Sequence, residues 1–375
     1  MTTLTNAQLV LPGGVVRGTL AIRGALIGDV QPGASAMPGA LDLDGDYLIP
    51  GAVDLHTDNL ERQVQPRTNA RWPSRSALLA HDAQCAAAGV TTAFDALCLG
   101  DLNEHSDRVR TFHDGVADLD ALAGTGLLKA DHLLHLRCEL PAPEMTGLLD
   151  RAVDHPCVRL ISLMDHTPGA GQFADLDRYR AMRRADGYDD AAVERMIAEL
   201  VAQRLRVSAP NRAALLARVR GLPIALASHD DRTEADVAQN AADGVTIAEF
   251  PVSMEAARAA RARSMPVIAG APNLVRGGSH SGNVAAADLL RAGAVDAFAS
   301  DYVPASLVEA AFAAVREGIA LPDAVALITR NPARMAGLAD RGALAPGLRA
   351  DLVRVRVHEG LPVVRQVWRA GERVA

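Results

Sequence analysis

One pattern recurs eight times between residues 47 and 302: an apolar, often β-branched run stops abruptly at a polar residue or histidine, and glycine, proline or a helical stretch follows. The runs are YLIPGAVDLHTD, GVTTAFDALCLGD, HLLHLRCELP, VRLISLMDHTPG, LPIALASHDD, GVTIAEFP, MPVIAGAPN and VDAFASDY. Their polar ends fall at His56, Asp95, Glu139, His166, His229, Glu249, Asn273 and Asp301, at intervals of 39, 44, 27, 63, 20, 24 and 28 residues. Crossover helices such as SALLAHDAQCAAAG and SLVEAAFAAVREG fit between them. Strand and helix in eightfold alternation predict a parallel (β/α)8 barrel of the α/β class, where about 250 residues shared among eight units give roughly 30 each. An open doubly wound sheet is the alternative, but it supplies no reason for a polar residue at every strand end. The 63-residue interval stands apart. Its highly charged stretch, about 175–220, has helical apolar spacing at Val193, Met196, Ile197 and Leu200 and reads as an inserted helical excursion.

Both ends of the chain have a different texture. Residues 1–50 read as short strands broken by Pro12-Gly13-Gly14 and a Pro/Gly/Ser/Ala stretch, and from Asp351 the chain alternates branched apolar residues with arginine. The expected organisation is one small β domain built from 1–50 plus 338–375, around a catalytic barrel over 51–337.

Composition narrows the partners. With 38 Lys+Arg against 45 Asp+Glu, the net charge is −7, which lacks the basic footprint of a nucleic-acid binder; an anionic ligand must be met by a local arginine cluster. No window approaches 18 uninterrupted apolar residues, and the first residues do not read as a secretory signal, so no membrane is expected. Cys85, Cys98, Cys138 and Cys157 form no CxxC pair, which suits free thiols in a reducing, cytoplasmic setting.

In a barrel the C-terminal strand ends converge on one cavity, so His56, Asp58, Glu139, His166, His229 and Asp301 become neighbours. His56 and Asp58, two apart on a strand, share a face. These mixed nitrogen and oxygen donors suit one or two divalent ions, zinc or manganese. Any one of them alone would be read as a cap or a backbone-satisfied loop residue; the argument rests on their joint placement. A second constellation is APNLVRGGSHSGN, residues 271–283. Here Gly277 and Gly278 let backbone N–H groups approach an anion with Ser279 and Ser281, ahead of a helix beginning near Asn283. Arg276 adds a fork suited to phosphate, and His280 a proton shuttle. A flexible surface turn is the plain reading of the same glycines. Arg67, Arg71 and Arg75 lie in a loop after the first strand and would neutralise a polyphosphate, although such a loop is usually just solvated. Arg137 shares a strand face with Glu139 and would point into the same pocket.

The strings HTDN, LHLRCELP, SLMDHTPG, ASHDD, AEFP, GAPNLVRGGSHSGNVAA and ASDY resemble, in order, the α-D-ribose 1-methylphosphonate 5-triphosphate diphosphatases of the carbon–phosphorus lyase pathway, within the amidohydrolase superfamily. The resemblance covers residue 45 to the C-terminus. It implies a metal-dependent (β/α)8 TIM-like barrel with a small β-sandwich domain formed by both termini. It further implies hydrolysis of a small-molecule ribosyl alkylphosphonate triphosphate to the 5-phosphate and pyrophosphate, attack at the α- or β-phosphorus giving the same products. It casts Asp301 as the acceptor of the attacking water's proton and Glu139 as a bridging carboxylate. The superfamily's usual first-strand HxH is His56-x-Asp58 here, and no strand-end lysine is evident. A homodimer is left open. The competing readings are a C–N hydrolase, deaminase or amidase, on the same barrel, and a non-catalytic metal-bound scaffold.

Overall fold

The computed structural model describes residues 1–67, 70–102, 107–279 and 281–375. The two chain ends meet in a single mixed sheet. Thr2–Leu11 and Gly14–Arg23 form a hairpin, and Leu26–Pro32 extends it; on the other side Tyr47–Pro50 pairs antiparallel with Leu352–His358, which carries Leu361–Arg369 and Glu372–Arg373. Alternating residues Leu4, Leu9, Leu20, Ile27, Leu48, Leu352 and Trp368 fill its core. The join between the ends is clamped by Asp46: Arg354 Nε donates to Oδ2 at 2.6 Å and Arg356 Nε to Oδ1 at 2.7 Å. Burial alone would raise the Asp46 carboxyl, but the hydrogen bonds from Arg356 and Arg354 outweigh it and hold the group below the usual carboxylate range.

The second sheet is the barrel. Its strands are β1 (Ala52–Thr57), β2 (Val90–Leu99), β3 (Asp131–Glu139), β4 (Val158–Met164), β5 (Ala225–His229), β6 (Ile247–Glu249), β7 (Val267–Gly270) and β8 (Ala297–Ala299), each parallel to the next. It closes just past β8, where Asp58 N–H donates to Asp301 O at 2.6 Å and Asp301 N–H to His56 O at 2.9 Å. Deeper in the seam the buried Asp54 carboxylate accepts from Ser300 N–H at 3.0 Å. Val53, Leu55, Phe94, Leu160, Ala227, Ile247 and Ile268 pack the interior, so the barrel is a filled core and not a pore.

Two of the expected strand ends are displaced. Asp95 lies within β2, fully buried, its two oxygens accepting from His81 Nε2 at 2.7 Å and His132 Nδ1 at 2.9 Å, so it ties the strand to the helix Ser74–Ala87 and stays out of the cavity. Asn273 lies inside the helix Ala271–Arg276, and its side chain bonds Val284 O and Ala286 N–H, 3.1 and 2.9 Å away. It fastens the next helix and does not end a strand.

The charged excursion resolves into two functions on one helix. Leu176–Ala185 and the first half of Asp190–Val219 pack on each other through Tyr179, Val193 and Ile197. The second half of Asp190–Val219 is the crossover helix to β5, with Leu215 and Val219 in the core between strands and helices. At 30 residues the helix is about 45 Å long, enough to serve both. Asn211 Nδ2 donates to Leu140 O and Ala142 O, both at 2.9 Å, pinning it where the two halves meet. No described helix is long and apolar enough to cross a membrane.

Replacing Asp46 by Asn is expected to cost about 1–3 kcal/mol, because it removes the charge-assisted bonds to Arg354 and Arg356 and leaves the buried Arg354 with Asp44 as its carboxylate partner. A depressed folded-state pKa contributes stability that is present above the unfolded value and is lost as pH falls through the folded one. Denaturant titrations of wild type and D46N should therefore differ most near neutrality and converge in acid as pH falls through the depressed Asp46 value.

Candidate active site

The strand ends and the loops that leave them enclose a cavity of about 1200 Å³. Three imidazoles stand at its base. His56 is the penultimate residue of β1, His166 lies two past the end of β4, and His229 ends β5. Their ring centroids are 5.7 Å apart for His56 and His229 and 5.6 Å for His166 and His229.

Carboxylates hold the rings from behind. His56 Nδ1 is 2.9 Å from Glu249 Oε1, and His166 Nδ1 is 2.6 Å from Glu139 Oε2 while its backbone N–H donates to Oε1 at 2.9 Å. An ionised carboxylate only accepts, so each Nδ1 carries a proton and each Nε2 is the nitrogen left for a ligand. Nε2 of His56, His166 and His229 is buried and without a hydrogen-bond partner among the described residues, as is Glu249 Oε2. His229 Nδ1 sits 3.0 Å from Asp230 Oδ2, but outside hydrogen-bond geometry, which leaves this ring the least committed of the three. Donor atoms of His56, His229 and Glu249 lie within 4.8 Å of one another, as do those of His166, His229 and Asp230 and those of His56, Asp58 and Asp301. Orphaned imidazole nitrogens beside carboxylates fit a divalent ion.

Asp58 occupies the place of the second histidine and has its own partner. Arg137 NH1 reaches both of its oxygens, at 2.7 and 2.9 Å, and Oδ1 stays 3.4 Å from His56 Nε2. Burial would raise the Asp58 carboxyl, but the Arg137 guanidinium overrides it and holds the group far below the usual range. Asp301 goes the other way: burial and the nearby Asp58 charge push it up to about 6. For His56 burial acts downward, and the Glu249 and Asp58 carboxylates prevail, lifting it to about 10, so without an ion its Nε2 is protonated as well and an ion bound there would displace that proton. His135, behind them, is driven down to about 3 by burial and stays neutral, bonded to Leu55 O and Ser162 Oγ.

The expected anion loop is only partly on the cavity. Arg276, Ser279, Ser281 and Asn283 line it. Gly277 and Gly278 do not cradle an anion with their N–H groups, which donate to Leu274 O and Asn273 O at 3.2 and 2.9 Å and so cap the helix Ala271–Arg276. Gly277, at φ 81°, takes the left-handed conformation this cap requires. The following helix begins at Ala286, later than expected. His280 lies outside the described residues. Arg67 is exposed and not among the cavity-lining residues; Arg71 is held by Asp107 and Asp114 and Arg75 by Asp118, which fastens this loop to the helix Arg108–Leu122. Arg137 does line the cavity, with one nitrogen committed to Asp58 and its Nε buried and without a hydrogen-bond partner among the described residues.

Glu139 falls outside the clustered donor groups, both its oxygens accepting from His166. Asp230 and Glu249 are the converse case: both stand in the strings ASHDD and AEFP, yet their approach to His229 and His56 depends on how β5 and β6 lie together. Asp230 has φ 61°, which turns its carboxylate back toward the imidazoles.

Comparison with known proteins gives three findings. The profile of the amidohydrolase family matches residues 189–374. The chain is 42% identical over 375 residues to the α-D-ribose 1-methylphosphonate 5-triphosphate diphosphatase of Escherichia coli K12, covering 99% of each chain. Among solved structures it superposes on a 5-methylcytosine deaminase from Klebsiella pneumoniae with a TM-score of 0.68 at 16% identity, covering 100% of this chain and 98% of the other. For an N-acetyl-D-glucosamine-6-phosphate deacetylase from Mycobacterium smegmatis the TM-score is 0.65 at 20% identity, with 100% of both chains covered. These two likenesses show a shared fold.

Because Glu139 and Glu249 fix a proton on Nδ1 of two rings, replacing either by Gln is expected to weaken divalent-ion binding, probed with zinc, about 10- to 100-fold. Competition against a chromophoric chelator measures it; unchanged affinity in both variants would refute the orienting role.

Proposed function

The chain belongs to the amidohydrolase-superfamily family of α-D-ribose 1-methylphosphonate 5-triphosphate diphosphatases, and from this membership we propose that it hydrolyses that triphosphate to the 5-phosphate and pyrophosphate in phosphonate catabolism. The observation that carries the reading is one cavity that combines three imidazoles with free Nε2 atoms and five lining arginines: Arg108, Arg137, Arg183, Arg195 and Arg276. A neutral amide or nitrogen heterocycle, as a C–N hydrolase takes, needs no arginine held in the site without a carboxylate partner, as Arg276 is among the described residues; a polyphosphate does.

His56, His166 and His229 would hold a divalent ion, with Asp230, Glu249 and Asp301 in reach; the nitrogen-rich set favours zinc. Such an ion supplies Lewis acidity, making water nucleophilic near neutral pH and drawing charge from a phosphoryl oxygen. The chain's own groups do the rest. Asp301 takes the proton of the attacking water, at the closure of the barrel beside His56. Arg276, with Ser279 and Ser281, takes the charge that develops on the departing pyrophosphate. Arg137 keeps Asp58 ionised and in place, so that its charge stands next to His56 and Asp301. The four free cysteines suit a reducing compartment and support a cytoplasmic setting.

Phosphorus NMR of the zinc-reconstituted protein with α-D-ribose 1-methylphosphonate 5-triphosphate should show pyrophosphate, and a chelator should abolish it. Orthophosphate as the sole inorganic product, or no turnover in a metal-loaded sample, would overturn the reading. Asp301→Asn is expected to lower kcat about 10²- to 10⁴-fold with the metal retained, a loss read from the same spectra.

A further inference from the structure

The cavity is larger than cleavage of a triphosphate alone requires: small-molecule sites are typically about 300–1,000 Å³, and this one is about 1200 Å³. Both helices of the excursion line it. On Asp190–Val219 the lining positions are Ala192, Arg195, Met196, Glu199, Leu200 and Gln203, the spacing of one continuous helical stripe. A full face of this helix therefore looks into the site. Leu176–Ala185 contributes Tyr179, Met182 and Arg183, and its Arg178 guanidinium presses on Gly282, where a Cβ would collide, so the helices also rest on the loop that follows Arg276.

The cavity's arginines differ in their commitments. Arg108 is paired with Glu61, Arg137 with Asp58 and Arg183 with Asp186. Arg195 and Arg276 have no hydrogen bond or ion pair to a described residue. They stand on separate elements, Arg276 at the end of the helix that follows β7 and Arg195 on the excursion. The substrate proposed above has the matching polarity, with a triphosphate on one side of a ribose and a monoanionic phosphonate ester on the other.

Resting on that functional reading, we infer that Arg195 is the specificity-determining contact for the phosphonate. The bond to be cut lies in the triphosphate, which must approach the imidazoles and Arg276; the far anionic end then meets the excursion. Arg183, stacked on Tyr179 at 5.1 Å with its Nε buried and without a hydrogen-bond partner among the described residues, flanks the same wall. Met182 and Met196 offer the pliable apolar contact that a methyl or longer alkyl group on phosphorus would take. The excursion thus separates ribosyl phosphonate triphosphates from triphosphates that lack the second anion.

Two measurements test it. In the first, kcat/KM is determined for wild type, Arg195→Ala, Arg195→Lys and Arg276→Ala on ribosyl methylphosphonate triphosphate and on ribose 5-triphosphate. Arg195→Ala should lower the preference for the phosphonate substrate about 10- to 100-fold, mainly through KM, with Lys restoring part of it. Arg276→Ala should depress both substrates alike. Equal losses on both substrates in Arg195→Ala, or an unchanged preference, would overturn the assignment. In the second, calorimetry follows binding of α-D-ribose 1-methylphosphonate 5-phosphate, which should weaken about tenfold or more in Arg195→Ala. If wild type turns over neither triphosphate yet binds this ligand through Arg195, the functional reading fails and the subsite stands; binding indifferent to Arg195 removes the subsite.

Discussion

Closure of the barrel at one pair of backbone hydrogen bonds, between the end of β1 and the residues just past β8, is the constraint on which the site depends. Asp58 N–H to Asp301 O and Asp301 N–H to His56 O join segments far apart in the chain. They also set three chemically active side chains within 4.8 Å of one another. Asp301 adopts φ 55° there, a left-handed conformation that a non-glycine residue holds only when its surroundings determine it. The buried Asp54 carboxylate, bonded to Ser300 N–H in the same seam, is part of that determination.

Behind the imidazoles lies a second layer of carboxylates. Glu249 and Glu139 fix a proton on Nδ1 of His56 and His166, and a ring so fixed presents its Nε2 in one direction. The first strand departs from the superfamily's HxH by placing Asp58 where a histidine is usual, and the structure answers with Arg137. The contact of one guanidinium nitrogen with both oxygens keeps the carboxylate charged in a buried position, where an unpaired one would take up a proton. A residue two positions before Glu139 thus completes the change made at position 58.

The excursion after β4 is an economical piece of architecture. A single helix, Asp190–Val219, packs Leu215 and Val219 on the barrel as an ordinary crossover helix and extends its first half over the cavity as a wall. Its packing partner changes along its length, from the helix Leu176–Ala185 to the barrel, and Asn211 holds it to the loop after β3 where the two halves meet. Residues that line the substrate cavity are in this way anchored to the barrel core and not to a free loop.

The sequence by itself determined the barrel, since eight β-branched runs with polar ends and helical stretches between them admit little else. It also marked His56, His166, His229 and Asp301, because residues at strand ends must converge once a barrel closes. The tertiary structure decided what alternation and spacing do not encode: which carboxylate stands behind which imidazole, and which arginine is already paired. Glu139 and Asp58 carry strand-end positions like the histidines do, and only the packing of β3 against its neighbours turns one toward His166 and gives the other to Arg137. Gly277 and Gly278 look from sequence like an anion cradle, yet a helix over 271–276 claims their N–H groups, since helical hydrogen bonds form wherever the local chain allows them. Asp95 was a strand end by pattern and a buried partner of two histidines in fact, because the run continues four residues beyond it. Backbone periodicity is local and legible; the pairing of charges across a closed barrel depends on register and strand tilt, which arise only when the sheet meets itself.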